Sequence, residues 1–444
     1  MPTLQRPIGF SPQEISAMVN EVVVEQHAEN ASFLWTQRDQ AVHAPNYSLS
    51  DLADLDERVE ANLDGLRVAG DVGWQLCEKE LENQEPGEVF AATVLAFGAK
   101  NEERIQKVLD VAVTDPSLER AAISALGWLS FDHIRDEVQR LINAEIPECR
   151  RMGVGAFAVH RQDPGEQLKI FLIDSNPRVR SRALRLVGEI ARKDLLPLLK
   201  KAFADQDEAC QFWAYWSAAR LGERTPTILQ TLQNYVENFS AYARPALEMA
   251  LRVMAFEEAK QWRNTLRDHP ATLRAAIQGA GILGDPGLVS ELLIHMETTE
   301  TSRIAGQSFS MITGVDLAYL DLDQDEPEDR KKEEADAKAE QESLDVDEEH
   351  EKEGAVQKDD DEDLPWPNPT RVTEWWGNHQ QEFERGTRYL CGKKITFSTL
   401  QEVLSKGNQR QRAAAALERA IWKTDEPSFE VRAVGKTQLK VLSK

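Results

Sequence analysis

A metal site in a helical protein needs histidines and carboxylates about a turn apart, and the eight histidines of this chain do not provide one. None forms an HExxH pair, and the one His-Glu step, His350-Glu351, lies in the most acidic stretch. Repeated His-Glu steps in helical hairpins can hold two irons, and that pattern is absent. Asp321, Asp323 and Asp325 alternate like the start of a calcium loop. Such a loop needs glycine where Glu326 stands and a bidentate glutamate where Lys332 stands. Val434-Gly435-Lys436-Thr437 resembles the end of a phosphate loop, but the earlier glycine would fall at Glu430. No serine or cysteine occupies a nucleophile elbow. Cys77, Cys149, Cys210 and Cys391 form no CxxC pair and are expected to be buried, idle thiols rather than a zinc site or a disulfide framework. The expectation is therefore no catalytic residue, no cofactor and no metal.

Charge narrows the partner class. The net charge is −24, and residues 321–364 hold 22 acidic against 6 basic side chains, a net of −16. The remaining 400 residues carry −8, without the positive surface that displaces counterions from phosphates. Nucleic acid is excluded on this ground. No apolar run reaches the roughly 18 residues that cross a bilayer, and the N-terminus lacks a secretory layout, which places the protein in the cytoplasm and away from membranes. Arg120, Arg151, Arg180, Arg244 and Arg274 recur near the starts of segments that read as the first helices of hairpins. They either line an anion-binding groove or pair with acids between neighbouring structural units, and pairing is the expectation.

That recurrence belongs to a wider period. "TLRAAIQGAGILGDPGLVSELLIHM" (272–296) reads as a helical hairpin. Small residues pack its first helix, Gly281 and Gly284 precede a turn, and Asp285-Pro286 opens the second helix. Gly188 and Gly127 occupy the position of Gly281 in two further copies; Leu95, Ala158, Ala219, Leu251 and Met311 occupy it in weaker ones. The spacing stays between 30 and 32 residues through all eight. Each hairpin has an apolar side that it buries only by stacking on neighbours.

Residues 11–85 read as helices outside this register, with Leu52, Leu55, Val59, Leu63 and Leu66 on one stripe, suited to covering the first hairpin. After 320 the acidic stretch has too few apolar side chains to offset its ordering entropy and is expected to be a disordered insertion. "DLPWPNPTRVTEWW" (363–376) is then where the chain re-docks. Prolines fix an extended path, and Trp366, Trp375 and Trp376 either clamp the insertion or are offered to a partner. In the clamp reading, Trp375 and Trp376 start a helix against the hairpin before the insertion. A β-hairpin is expected around Gly392, then two helices, then a short strand pair turning at Gly435.

The repeats resemble short bacterial HEAT-like repeats of the kind found in phycobilisome lyases. A closer resemblance rests on "HAENASFLWTQRD", "LDERVEANLDGLRVAG", "FSMITGVDL", "DLPWPNP", "WWGNHQQEFERGTRYLCG", "QRQRAAAALERA" and "FEVRA". These look like a bacterial HEAT-like repeat family associated with type VI secretion gene clusters. The resemblance carries over no catalytic residues. It implies an accessory role beside the secretion spike.

The fold class expected is all-α: a HEAT-like helical-hairpin solenoid. Its parts are a helical N-terminal cap (1–86), a repeat array (87–320), a disordered acidic loop (321–363) and a C-terminal cap (364–444) with a last repeat-like hairpin and a small β-hairpin. The function expected is a non-enzymatic protein-binding scaffold, an adaptor or chaperone for a spike-loaded effector. The partner would be a secreted effector, a spike protein or a toxin. The alternatives are an immunity protein that blocks a toxin and a HEAT-repeat enzyme such as a lyase.

Overall fold

The computed structural model describes residues 20–328 and 361–443. Three helices precede the repeats: α1 (Glu21–Ala41), α2 (Leu49–Ala69) and α3 (Asp71–Glu80). A capping box starts α2, where Ser48 Oγ accepts from the Asp51 N–H and the Asp51 carboxylate accepts from the Ser48 N–H. The predicted stripe from Leu52 to Leu66 is buried, facing α1 and α3.

The hairpins follow. Their first helices are α4 (Pro86–Gly98), α6 (Pro116–Trp128), α8 (Pro147–Val159), α10 (Pro177–Glu189), α12 (Glu208–Arg220), α14 (Ala243–Val253), α16 (Leu273–Leu283) and α18 (Thr299–Thr313). The second helices are α5 (Glu102–Ala112), α7 (Phe131–Ile142), α9 (Gln167–Phe171), α11 (Leu196–Ala202), α13 (Pro226–Glu237), α15 (Phe256–Arg267) and α17 (Val289–His295). All eight recurrent positions fall in the last turn of a first helix. Proline opens each of the first four, where its fixed φ suits the helix and its missing N–H is not needed. The side chains of Asp115, Asn176 and Asp207 cap α6, α10 and α12. The fold is an all-α, HEAT-like stack of helical hairpins.

Close approach of first helices explains the recurrent small residues. A Cβ added to Gly188 would lie 2.6 Å from Ser217 Oγ and 3.0 Å from Ser217 Cα. Ser217 Oγ donates to the Leu184 carbonyl at 2.7 Å. The same arrangement recurs at Gly281, where Ser308 Oγ donates to the Ile277 carbonyl at 2.8 Å.

After Thr313 come β1 (Asp323–Gln324) and, beyond the insertion, β2 (Trp366–Pro367), paired antiparallel with Gln324 opposite Trp366. The acidic insertion expected over 321–363 lies outside the described residues between 329 and 360, as do Lys332, His350 and Glu351. Its two described ends, 321–328 and 361–363, are part of the fold. Helix α19 (Pro369–His379) then leads to β3 (Tyr389–Leu390) and β4 (Lys393–Lys394). Cys391 and Gly392 between them have φ of 52° and 75°, as a two-residue turn with both central residues left-handed requires. The hairpin expected at Gly392 is present. Helices α20 (Phe397–Lys406), α21 (Gln409–Trp422) and α22 (Gly435–Leu442) complete the chain.

The strand pair expected at Gly435 is a correction. Gly435 does not turn the chain: it opens α22, and its N–H donates to Asp56 Oδ2 at 2.6 Å. It must be small because an added Cβ would lie 2.7 Å from Ala53 Cα.

The chain forms two compact units. One comprises Met1–Leu221, Asn408–Arg410 and Trp422–Lys444; the other comprises Gly222–Gly407 and Gln411–Ile421. Among the described residues no helix is long and apolar enough to cross a membrane.

Candidate functional site

In the first unit, the chain's own C-terminal segment lies along the ends of successive hairpins. Arg220, the last residue of α12, donates to the carbonyl of Thr424 at 3.1 Å and to that of Glu426. The carbonyl of Glu189, the last residue of α10, accepts from the Ser428 N–H at 2.8 Å and from Ser428 Oγ at 3.0 Å. Arg161, just past α8, donates through Nε to the Ser428 carbonyl at 2.9 Å and pairs with Glu430 at 2.9 Å. Arg38, in the last turn of α1, donates to the carbonyls of Arg432 and Ala433 at 2.7 and 3.1 Å. The segment therefore runs against the order of the hairpins, and most of these contacts are to its main chain.

Local structure places these groups. Helix C-termini favour cations, because the unsatisfied carbonyls there carry partial negative charge. Arg161 adopts φ of 53°, a left-handed conformation uncommon for arginine, and its N–H caps the Ala158 carbonyl at 3.0 Å. The Glu189 carboxylate, 3% exposed, meets Arg182 at 2.7 Å, Arg185 at 2.8 Å and Arg161 at 3.7 Å. Burial alone would raise its pKa, but the three guanidinium groups hold it at about 2. Arg220 is wholly buried and is held down at about 10 by burial and then by Arg161. Arg220 Nε and Arg182 Nη1 are buried without a hydrogen-bond partner among the described residues.

None of Arg38, Arg161, Glu189 or Arg220 was singled out from sequence. The available signal was position: 161, 189 and 220 follow the recurrent slots 158, 188 and 219 by one to three residues. Their partners lie more than 200 residues away in sequence, beyond any local pattern.

The arginines that were singled out do something else. Arg180 forms a bidentate pair with Asp205 at 2.9 and 3.0 Å, and Arg150 forms the same pair with Asp174 one repeat earlier at 2.8 and 2.9 Å. Arg151 pairs with the buried Glu119, and Arg120 with Asp39, each at 2.5 Å. Arg274 reaches Asp361 at the base of the insertion at 2.7 Å. Arg244 departs from the pattern and approaches Glu248 of its own helix at 3.6 Å. Except at Arg244, these contacts tie separate elements together.

In the second unit, Trp366 sits in β2 with the Arg303 guanidinium 4.5 Å above its ring. Arg303 also donates to the Asp361 carbonyl at 2.9 Å. Trp375 and Trp376 occupy the second half of α19, which begins at Pro369 rather than at the tryptophans, because Asn368 caps it there through the Arg371 N–H. Both rings meet Phe309 of α18 edge-on, at 5.7 and 6.3 Å. Trp376 is 7% exposed and continues into Phe383 and Tyr389; Trp375 stacks on His379 at 4.1 Å. All three tryptophans are thus near the base of the insertion, but Trp366 and Trp375 are only half-buried.

No group of metal-ligating side chains that could hold an ion occurs among the described residues. The four cysteines form no disulfide; Cys77, Cys149 and Cys210 are buried and Cys391 is half-buried, and burial pushes Cys149 up to about 11 and Cys210 and Cys391 up to about 12. One acidic cleft of about 570 Å³ is lined by Glu29, Glu80, Glu85 and Glu88 with Phe33 of α1. Burial, then Glu88, Glu29 and Glu25, push Glu80 up to about 7.

Residues 166–252 match the HEAT repeats family model. That stretch spans α9 to α14 and includes Glu189 and Arg220. The crystal structure of an engineered protein is similar at 13% identity and a TM-score of 0.27, covering 67% of this chain and 98% of that one. No curated protein matches.

Proposed function

We propose that this chain is a non-enzymatic scaffold that binds a protein partner, as an accessory of bacterial type VI secretion that acts in the cytoplasm as adaptor or chaperone for a spike-loaded effector. HEAT repeats commonly mediate protein–protein binding, and this fold suits that role. The observation that carries the reading is the bonding of α1, α8, α10 and α12 to the main chain of the segment 424–433. Hairpins that recognise a backbone in this way can hold a polypeptide with little demand on its side chains. In this reading 1–86 caps the array of 87–320, the acidic insertion follows it, and 364–444 completes the chain. Trp366, Trp375 and Trp376 act as the clamp at the loop's base. The secretion context comes from the sequence resemblance alone.

The charge of −16 over 321–364 favours a second reading, an immunity protein that captures a basic toxin through electrostatic steering. Affinity capture from the native bacterium, with wild-type and Arg161→Ala chains side by side, tests the first reading. A secreted effector or spike component retained by wild type and lost by the variant supports it. Capture of small metabolites with turnover, and of no protein, refutes it. Capture of a toxin whose association rate falls steeply with salt would instead establish the immunity role.

A further inference from the structure

We infer that the arginine track along α8, α10 and α12 is a binding site for an extended acidic segment of a partner protein, and that residues 423–434 are its resident stand-in. The inference rests on the scaffold reading above and names the ligand and the competitor at that site.

Three observations carry it. The first is the type of bond: Arg220 and Arg161 donate to main-chain carbonyls, and the Glu189 carbonyl accepts a main-chain N–H. The Ser428 groups lie on the stretch 427–430, which is free of turns, while Thr424 and Glu426 belong to a turn closed by the Glu426 N–H on the Lys423 carbonyl at 3.1 Å, so a ligand needs only main-chain groups in this course. The sugar-phosphate backbone of a nucleic acid has no N–H to offer the Glu189 carbonyl.

The second is how little apolar surface holds the segment. No residue of 423–434 is fully buried. In α22, which anchors its far end, only Gly435 and Gln438 are buried, while Leu439 and Val441 are 47% and 49% exposed. A segment fixed by polar contacts at the surface opens more readily than the core it lies on.

The third is charge. Arg161, Arg182 and Arg185 surround the carboxylate of Glu189, and Arg220 Nε and Arg182 Nη1 remain unpartnered among the described residues while buried. The resident segment brings Asp425, Glu426 and Glu430, of which Glu430 pairs with Arg161. An incoming segment with a carboxylate in the place of Glu430 satisfies the same arginine.

The test uses full-length chains and a fluorescein-labelled synthetic peptide of residues 423–443 as the probe, read by anisotropy. Gly435→Val forces α22 off Ala53, and Glu430→Lys opposes Arg161, so each opens the site from a different point. Both opened chains are expected to bind the peptide at least tenfold more tightly than wild type. Adding Arg161→Ala to either should return affinity at least tenfold, with the helical circular dichroism unchanged. A peptide carrying Asp425→Asn, Glu426→Gln and Glu430→Gln should bind at least fivefold more weakly. If wild type binds the peptide as tightly as the opened chains, the tail is no competitor and this inference fails while the scaffold reading stands. If neither opened chain binds while both keep wild-type helicity, the track is not a peptide site and both readings fail. Should Gly435→Val not fold, Glu430→Lys decides the matter alone.

Discussion

Replacing Gly188 with alanine probes the contact on which the stacking depends. In an unconstrained helix the change would stabilise by about 1 kcal/mol, since glycine has the greater backbone entropy to lose. Here the added Cβ lies 2.6 Å from Ser217 Oγ, 2.9 Å from Ser217 Cβ and 3.0 Å from Ser217 Cα. The hydroxyl can rotate away, but only by giving up its bond to the Leu184 carbonyl, roughly 1 kcal/mol. The Cα cannot move without shifting α12. Overpacking of this kind costs about 1–3 kcal/mol. The sum is a net destabilisation of roughly 1–3 kcal/mol. At about 2–4 °C per kcal/mol this lowers Tm by roughly 2–12 °C. Gly98→Ala is the control, because its nearest neighbour would be Leu129 Cδ2 at an ordinary 3.6 Å, and it should be neutral or slightly stabilising. Gly281→Ala should fall between them, its closest contact being 3.0 Å. Thermal and urea unfolding of the three variants supply the ranking, and a cycle with Ser217→Gly isolates the clash. If Gly188→Ala melts at or above wild type, or shows no coupling to position 217, the close-approach account is wrong.

Three further outcomes follow from the same geometry. Trp376→Ala should lose roughly 3–5 kcal/mol locally, exposing residues 361–394 to protease while 87–320 stay folded; unchanged stability with lost partner binding would make the tryptophan a docking residue instead of a clamp. Glu189 has its folded pKa depressed from 4.5 to about 2, so its contribution, at most roughly 3 kcal/mol, is present above pH 4.5 and lost as pH falls toward 2; the acid-limb slope of wild-type Tm should flatten in Glu189→Gln, and an identical slope would remove this residue from the account. Glu80 has the opposite sign: with its folded pKa raised to about 7, ionisation destabilises the fold as pH rises from 4.5 through 7, so Glu80→Gln should raise Tm at pH 8 and leave it unchanged at pH 4, and a flat difference across that range would count against mutual repulsion in the acidic cleft.

The sequence by itself determined the repeating part of this protein. Period, helix polarity and hairpin turns are set by residues within about thirty positions of each other, and the eight slots found that way all lie in the last turn of a first helix. The stripe on α2 and the turn at Cys391-Gly392 were legible for the same reason: the local backbone dictates the residue type. Proline at 86, 116, 147 and 177 would have sharpened the register further. The placement of the C-terminal segment was decided only by the tertiary structure. "SFEVRAVGKTQLKVL" alternates as a strand would, but its hydrogen-bond partners are Glu189, Arg161, Arg38 and Asp56, not a second strand. An arginine bound to a distant carbonyl leaves no trace in side-chain periodicity, because a main-chain acceptor has the same chemistry at every residue. Gly435 shows the same limit: its sequence context suggests a turn, whereas its need to be glycine comes from Ala53, which only the fold brings within 2.7 Å.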